Sequence, residues 1–279
     1  MMTEIIAVLT GSTGFLGKKF LAALRKRNAA NYNYSDILLV GREEKCVSAY
    51  DGRSFKLTDL PKDEKHLFHF ATLYNPRPTS FTEIDSIFNS NVLFPIQLIK
   101  TTPQISKVYC MQSYQELLPV SLQSEYSLSK SLFTRSLNSC GLNTLKFYLF
   151  DNFGADDKRG KVVDVFIDKA VAGDDIIIPS NEVFINLCDA SNIIQNILNL
   201  IDSDRDSYLI GNKEKISLSN LANFIINEVG SQSRVVLNGT APDLFNYIEG
   251  EITNLTEYDN TALYGGLSEH IYKKRTSST

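Results

Sequence analysis

The chain has no tryptophan and, among 279 residues, only three histidines, three methionines and four cysteines. The cysteines, Cys46, Cys110, Cys140 and Cys188, lie far apart and form no C-x-x-C pair. That excludes a dithiol redox motif and the disulfide framework of a small secreted domain, and each reads as a buried thiol. His66 and His270 have no acidic or thiol neighbour at ligand spacing, and His69 ends an apolar run, so no metal site is expected. The formal net charge is -4 and no long basic run occurs. Replacing the counterions of a nucleic acid needs clustered lysine and arginine, so nucleic acid is excluded as a partner. No uninterrupted apolar stretch approaches the roughly 18 residues of a membrane helix, and Met1–Thr10 lacks the build of a signal peptide. The expectation is a soluble protein of a reducing cytoplasm, with no membrane partner and a small-molecule substrate.

What is present is ordinary globular material, 43% hydrophobic and 22% charged, with 13 Tyr and 16 Phe to fill an interior. The run 4–9 (EIIAVL) is short and continuously apolar, as in a parallel strand covered on both faces. Further strands are expected at 37–40, 54–57, 67–70, 107–111 and 144–150, with helices at 15–27, 88–100 and 126–138 among them. Alternating strands and helices predict an α/β fold, a Rossmann-type doubly wound parallel sheet. The pattern changes after Gly154, with helices expected at 161–172, 189–201 and 217–229 and a short strand at 176–178. The division expected is a dinucleotide-binding domain over 1–153 and a smaller mixed substrate-binding region over 154–279, interleaved with the first. The basic run Lys273-Lys274-Arg275 reads as a solvated tail.

Directly after the first strand comes Gly11-Ser12-Thr13-Gly14-Phe15-Leu16-Gly17. Gly11 suits a tight turn, Gly14 a close approach of backbone to a pyrophosphate, and Gly17 the packing of helix on strand. The helix start then offers free N–H groups and a positive dipole end to the phosphates. The alternative is a purely structural glycine turn. The second strand ends in Gly41-Arg42, where an NAD-preferring site carries an acid for the ribose 2′-hydroxyl. Arg42 offers a cation for a 2′-phosphate instead, so NADP(H) is favoured, with NAD(H) the alternative.

Tyr126 and Lys130 are four apart on an expected helix and share a face. In such a pair the phenol exchanges a proton with a carbonyl or hydroxyl, while the ammonium lowers the phenol pKa. With 13 Tyr and 18 Lys, about one such spacing arises by chance. Its place, opening the helix after the fifth expected strand, is what gives it weight. A tyrosine at an interface beside a solvated lysine is the plainer reading.

Together, the glycine run, His69-Phe70-Ala71-Thr72, Asn91 and Tyr126-Ser127-Leu128-Ser129-Lys130 resemble the extended short-chain dehydrogenase/reductases of the epimerase/dehydratase type. Tyr208-Leu209-Ile210-Gly211-Asn212 is similar to a segment of that family's substrate region. The layout is closest to reductases of nucleotide-linked 4-keto-6-deoxy sugars. By this resemblance Gly11, Thr13, Gly14, Phe15, Leu16 and Gly17 hold the pyrophosphate, Arg42 the 2′-phosphate, Ala71 and Thr72 the nicotinamide ribose side, and Asp59 and Leu60 the adenine. Asn91 and Phe150 lie near the cofactor, Tyr126 is the acid/base and Lys130 its electrostatic partner. A homodimer is also implied, through the helices at 88–100 and 126–138, whose apolar stripes are Val92, Ile96, Ile99 and Leu132, Phe133, Leu137.

Three departures qualify the likeness. Met111 stands where the family has Ser or Thr, leaving Ser113 as the nearest replacement and Gln112 as a second donor. Asp151-Asn152-Phe153-Gly154 replaces Asn-x-Tyr-Gly, and Glu182 falls near the usual diphosphate-gripping Arg, which leaves Lys158, Arg159 or Lys161 for that task. The function implied is an NADPH-dependent keto-sugar reductase. Its rivals are a nucleotide-sugar epimerase or dehydratase and a non-catalytic dinucleotide-binding regulator.

Overall fold

In the computed structural model, residues 5–31, 34–41, 45–60, 62–179, 183–213, 215–240, 243–248, 255–258 and 260–277 are described. The elements run β1 Ile5–Thr10, α1 Phe15–Asn31, β2 Asp36–Val40, β3 Lys45–Ser48, β4 Ser54–Lys56, β5 Glu64–His69, α2 Phe81–Phe88, α3 Phe94–Thr101 and β6 Ile105–Ser113. Then follow α4 Glu125–Ser139, β7 Thr144–Leu149, β8 Asp151–Phe153, α5 Val162–Ala172, β9 Ile176–Ile178, β10 Phe184–Ile185, β11 Leu187–Asp189 and α6 Ala190–Leu200. The last are β12 Ser207–Asn212, β13 Ile216–Ser217, α7 Leu218–Val229, β14 Val235–Leu237, β15 Leu255–Tyr258 and α8 Asn260–Ser277. Two compact units result, one of residues 1–148 with 194–208, the other of 149–193 with 209–279.

The sheet of the first unit has the order β7-β6-β5-β1-β2-β3-β4. β1 lies parallel between β2 and β5, and β5 pairs parallel with β6. The continuous apolar runs are explained by this: Ala7, Val8, Leu9, Leu67 and Phe68 are all fully buried in central strands. Val8, Leu38, Leu67, Val108, Leu98, Phe133 and Leu137 form one core cluster, in which each large side chain contributes roughly 1.5–3 kcal/mol of burial. Sequence periodicity gave no sign of β3, which pairs antiparallel with both β2 and β4 and is only four residues long.

In the second unit α5 and α7 pack together over Val163, Ile167, Leu221 and Ile225, and α8 adds Leu267 and Ile271. Ser217 caps α7 by accepting the Asn220 N–H, and Gly230 ends it in the left-handed region at φ 72°. Its strands form short pairs: β8 with β11, β9 with β14, and β10 with β13.

Four expectations are corrected. The helix expected from residue 88 begins at Phe81, because Ser80 caps it there, and it is interrupted by a π-turn at Asn89–Leu93. Lys273 and Lys274 are not on a solvated tail but on α8, where Lys274 donates to the Asp164 carboxylate at 3.2 Å and pairs with Asp168 at 2.8 Å. The apolar stripes assigned to a dimer face point into the first unit's own core at Val92, Phe133 and Leu137, while the stripe residue Leu132 is exposed, as is Leu93, which was not among them. Cys140 is exposed at the end of α4, whereas Cys46, Cys110 and Cys188 are buried. Among the described residues, no helix is long and apolar enough to cross a membrane and no group of three potential metal ligands occurs.

Candidate functional site

The glycine turn leaves β1 at its carboxyl end, where an open parallel sheet forms its ligand crevice. Gly11 sits at φ 71°, and a Cβ there would meet the Ala71 nitrogen at 2.5 Å and the Phe70 carbonyl carbon at 2.7 Å. A Cβ on Gly17 would strike the Gly11 carbonyl. Neither position admits a side chain, so the turn packs flat against the end of β5. The Gly14 N–H closes the turn onto the Gly11 carbonyl at 2.9 Å, and Lys18 N–H reaches the Gly14 carbonyl at 2.9 Å as α1 begins. Thr13 is exposed, Phe15 and Leu16 are half-buried on the first turn, and the Lys19 ammonium lies 5.3 Å from the Phe15 ring. The turn thus leads straight into the N-terminus of α1, whose N–H groups and dipole favour an anion.

Thr10 joins the turn to β5. Its hydroxyl lies 2.9 Å from His69 Nδ1 and accepts the Ala71 N–H at 3.2 Å. Burial, and then the Lys130 charge, push the His69 pKa down to about 3, so this imidazole is neutral and structural. Asn91, lifted out of helical register by the π-turn, accepts the Leu73 N–H at 2.7 Å and the Thr72 hydroxyl at 3.2 Å. Its amide nitrogen donates to the Leu73 carbonyl at 3.1 Å and to the Ser129 hydroxyl at 3.0 Å. One side chain therefore ties the loop after β5 to α4, the helix that carries Tyr126 and Lys130.

Helix α4 starts where Ser124 accepts the Ser127 N–H, which places Tyr126 and Lys130 on its first turns with both side chains buried. The Tyr126 ring meets Tyr74 edge-on at 4.9 Å, and the Lys130 ammonium stands 5.6 Å from the Tyr126 ring centroid. Lys130 donates to the Met111 carbonyl at 2.7 Å, so the backbone of the residue that replaces the family's Ser or Thr holds the lysine. Ser113 ends β6 and caps a 3-10 turn at Tyr114–Leu117, accepting the Gln115 N–H, while Glu116 accepts the Ser113 N–H at 2.7 Å. Gln112, the second donor considered, is bonded to the Thr134 hydroxyl.

Glu116 was not picked out from the sequence. Its side chain is pushed up to about 7 by burial, against the lowering pull of Lys130 and the Ser113 N–H. Burial drives Lys130 down from the ordinary lysine value, and Glu116 and Cys110 oppose that. Tyr148 on β7 is raised to about 12 by burial, with Glu116 adding to it. A capping pattern, S-x-x-E across 113–116, was the sequence signal that could have located Glu116.

Within the first unit the structure therefore brings together Gly11, Gly14, Gly17, Ala71, Thr72, Asn91, Ser113, Tyr126 and Lys130 through the contacts above. Leu60 belongs instead to the hydrophobic core, and Asp59 is exposed, accepting the Thr58 hydroxyl at 2.9 Å. Phe150 lies in the second unit, where a Cβ on Gly211 would run into its ring. Arg42 and Glu182 lie outside the described residues. Of the cations expected to replace the diphosphate grip, Arg159 is engaged by Asp157 and by the Asn152 side-chain oxygen at 2.7 Å. Burial lowers the Lys161 pKa, with Asp151 pulling it back up.

No family model matches the chain. Over 215 residues it is 25% identical to a protein named CDP-abequose synthase from Yersinia pseudotuberculosis, covering 72% of this chain and 75% of that one. Among solved structures, it superposes on a UDP-N-acetylglucosamine 4-epimerase from Methanobrevibacter ruminantium with a TM-score of 0.72 at 19% identity, covering 99% of this chain and 100% of the other. A Bacillus cereus UDP-glucuronic acid 4-epimerase, in complex with UDP-glucuronic acid and NAD, gives 0.72 at 13% identity over 97% and 99%. The chain has the Rossmann-like α/β fold of these epimerases. The resemblance read from Gly11–Gly17 and Tyr126–Lys130 thus agrees with the fold, and those matches carry names of enzymes of nucleotide-linked sugars. This fold puts β1, β5 and β6 side by side, which is why residues from 11, 71, 113 and 126 can meet.

Proposed function

We propose that this protein is an NADPH-dependent oxidoreductase that reduces the keto group of a nucleotide-linked 4-keto-6-deoxy sugar. One observation carries the reading: a tyrosine and a lysine, both buried on one face of α4, are wired through Ser129 and Asn91 to the loop that follows β5, and the glycine cradle abuts that same strand end. Gly11, Thr13, Gly14, Phe15, Leu16 and Gly17 would hold the dinucleotide diphosphate, with Ala71, Thr72 and Asn91 bordering the ribose side. When bound, the dinucleotide supplies the hydride. Tyr126 gives its phenolic proton to the carbonyl oxygen as it becomes a hydroxyl, and Lys130 stabilises the phenolate left behind. Ser113 uses a lone pair to cap the turn, and its O–H polarises the substrate oxygen. The CDP-linked sugar in the name of the sequence relative makes a cytidine nucleotide sugar the first substrate class to test.

Incubating the purified chain with NADPH and a panel of nucleotide-linked 4-keto-6-deoxy sugars tests this through absorbance loss at the nicotinamide band. Oxidation that depends on the keto sugar supports the reading, and tight binding of NADPH without turnover on any member sinks it. A 4-epimerase acting with NAD is the second reading, favoured by the superposition on two 4-epimerases, one of them in complex with NAD. It predicts interconversion of UDP-sugars with no net NADPH consumption. A homodimer belongs to the same proposal, with the exposed stripe residue Leu132 and Leu93 on its face rather than the stripe residues that the core absorbs.

A further inference from the structure

Tyr126 is the second residue of α4. A long side chain in a helix leans over the turn that precedes its own Cα, and no turn of α4 precedes Tyr126. The helix alone therefore leaves its rotamer unfixed, and whatever else packs on the ring sets it. The ring is only 8% exposed. Tyr74, in the loop between β5 and α2, meets it edge-on, with the centroids 4.9 Å apart and the planes at 84°. This is one of the arrangements that aromatic pairs prefer.

Tyr74 itself remains 39% exposed, so burial of its own surface is a poor reason for a large ring at this position. The loop holds that ring still. On one side of it, Asn91 accepts the Leu73 N–H at 2.7 Å and donates to the Leu73 carbonyl at 3.1 Å, which grips both polar groups of the preceding residue. Asn91 also donates to the Ser129 hydroxyl, and that hydroxyl donates to the Tyr126 carbonyl at 2.7 Å. A closed circuit results, from Tyr126 through Ser129, Asn91 and Leu73 to Tyr74, and back to Tyr126 through the ring contact. On the other side, Pro76 and Pro78 fix their own φ and restrict the residues before them. Beyond them Glu83 of α2 accepts the Thr79 N–H at 2.6 Å. A loop is ordinarily where backbone freedom is kept, and this one is anchored at both ends around Tyr74.

We propose that Tyr74 is a positioning residue, which fixes the Tyr126 ring and keeps water from one side of it so that the phenol meets the substrate carbonyl in the orientation proton transfer needs. The inference rests on the reading of Tyr126 as proton donor and adds to it the residue by which that donor is aimed. Tyr74 acts through its ring, and its own hydroxyl has no part in this duty. Aim matters because a proton passes only within hydrogen-bond reach, and a misplacement of about 1 Å can cost up to about 100-fold in rate.

The test is steady-state reduction of a CDP-linked 4-keto-6-deoxyhexose by NADPH, with the full chain as wild type, Tyr74→Ala, Tyr74→Phe, Tyr126→Phe and the double variant Tyr74→Ala/Tyr126→Phe. Tyr74→Ala is expected to lower kcat about tenfold, with the NADPH Kd and the KM for the keto sugar each moving less than about twofold. The unchanged NADPH Kd also shows that the variant is folded. Tyr74→Phe keeps the ring and should restore kcat to within about twofold of wild type. In the Tyr126→Phe background no phenolic proton is left to aim, so Tyr74→Ala should lower the residual turnover less than about twofold further. Equal losses in the two backgrounds overturn the inference, as does a wild-type kcat in Tyr74→Ala. A raised KM with kcat kept overturns it too, and makes Tyr74 a substrate contact. Tyr74→Phe as slow as Tyr74→Ala assigns the effect to the hydroxyl and overturns the ring's role, and loss of NADPH binding in Tyr74→Ala reduces Tyr74 to a part of the fold. Wild type without turnover, or Tyr126→Phe at the wild-type rate, brings down this inference together with the reading it rests on, a result unlike the others.

Discussion

Each of the two units sets a histidine, a carboxylate and a lysine in or at the edge of its interior, and the two sets are held in opposite ways. In the second unit His270 and Lys274, one turn apart on α8, converge on Asp164 of α5 at 3.0 and 3.2 Å. Burial raises the Asp164 pKa, but the hydrogen bond from His270 and the charge and hydrogen bond of Lys274 outweigh it and hold the carboxyl below its ordinary value. In the first unit, His69, Glu116 and Lys130 bond to Thr10, to the Ser113 N–H and to the Met111 carbonyl. Here burial wins: the carboxyl goes up, and the lysine and histidine go down. Ionisation that is relieved locks helices together. Ionisation left unrelieved at the end of β6 is what the proposed proton transfer would draw on.

The largest expected effect breaks the first-unit set. Tyr126→Phe removes one proton and almost no volume, so turnover of an accepted keto sugar should fall by roughly 10²-fold or more with the NADPH Kd unchanged. Steady-state rates beside a binding titration check this, and a wild-type rate would return Tyr126 to the role of a packing residue against Tyr74. Asp164→Asn is the matching blow to the second unit. Removing one partner of a buried ion pair should cost about 3 kcal/mol of stability and leave turnover per folded molecule intact. Because the Asp164 pKa is depressed, its contribution is fully present above the ordinary aspartate value and is lost as pH falls through the folded value. Denaturant midpoints should therefore differ most between wild type and Asp164→Asn near neutrality and converge in acid. A constant gap across that range would mean that the pair is not what stabilises α8.

How much of this was readable beforehand differs between the units for a physical reason. Local rules sufficed for β1, the glycine turn and α4, because apolar runs, left-handed φ at Gly11 and a serine cap act within a few residues of sequence. They also sufficed for α7, bounded by Ser217 and Gly230. What escaped was set by distant partners. Nothing near Lys274 announces Asp164, which lies 110 residues away, and the run was read as a solvated tail for that reason. Val92 and Phe133 show helical spacing, but only the sheet beneath decides that they face inward. The π-turn that presents Asn91 has no composition signal at all, and Glu116 becomes conspicuous only when Lys130 is folded over β6.

A smaller effect separates the two duties of Ser113. Its lone pair caps the turn at Tyr114–Leu117, and loss of such a cap costs about 1 kcal/mol. If the hydroxyl hydrogen also polarises the substrate oxygen, Ser113→Ala should in addition lower turnover about tenfold, with little change in the NADPH Kd. A loss of stability alone, read from melting curves measured next to rates, would leave Ser113 a cap and nothing more.

The smallest effect at neutral pH is the one that tests the contrast most directly, because it asks whether Glu116 and Lys130 sense each other. Glu116 ionises as pH rises through about 7, and its negative charge then opposes the desolvation that pulls the Lys130 pKa down. The ammonium therefore persists to higher pH than burial alone would permit, and with it the support that Tyr126 needs as its phenol gives up a proton. Glu116→Gln removes that counter-charge while keeping the acceptor for the Ser113 N–H, so the Lys130 pKa must fall further. Turnover near pH 7 should drop only a few-fold, but the alkaline limb of the pH–rate profile should move to lower pH. Glu116→Asp, which restores the charge, should move that limb back toward wild type. A structural role for Glu116 predicts lower stability with the limb in place. Identical profiles in wild type and Glu116→Gln would show that the two charges do not communicate, and the contrast between a poised first unit and a locked second one would lose its electrostatic basis.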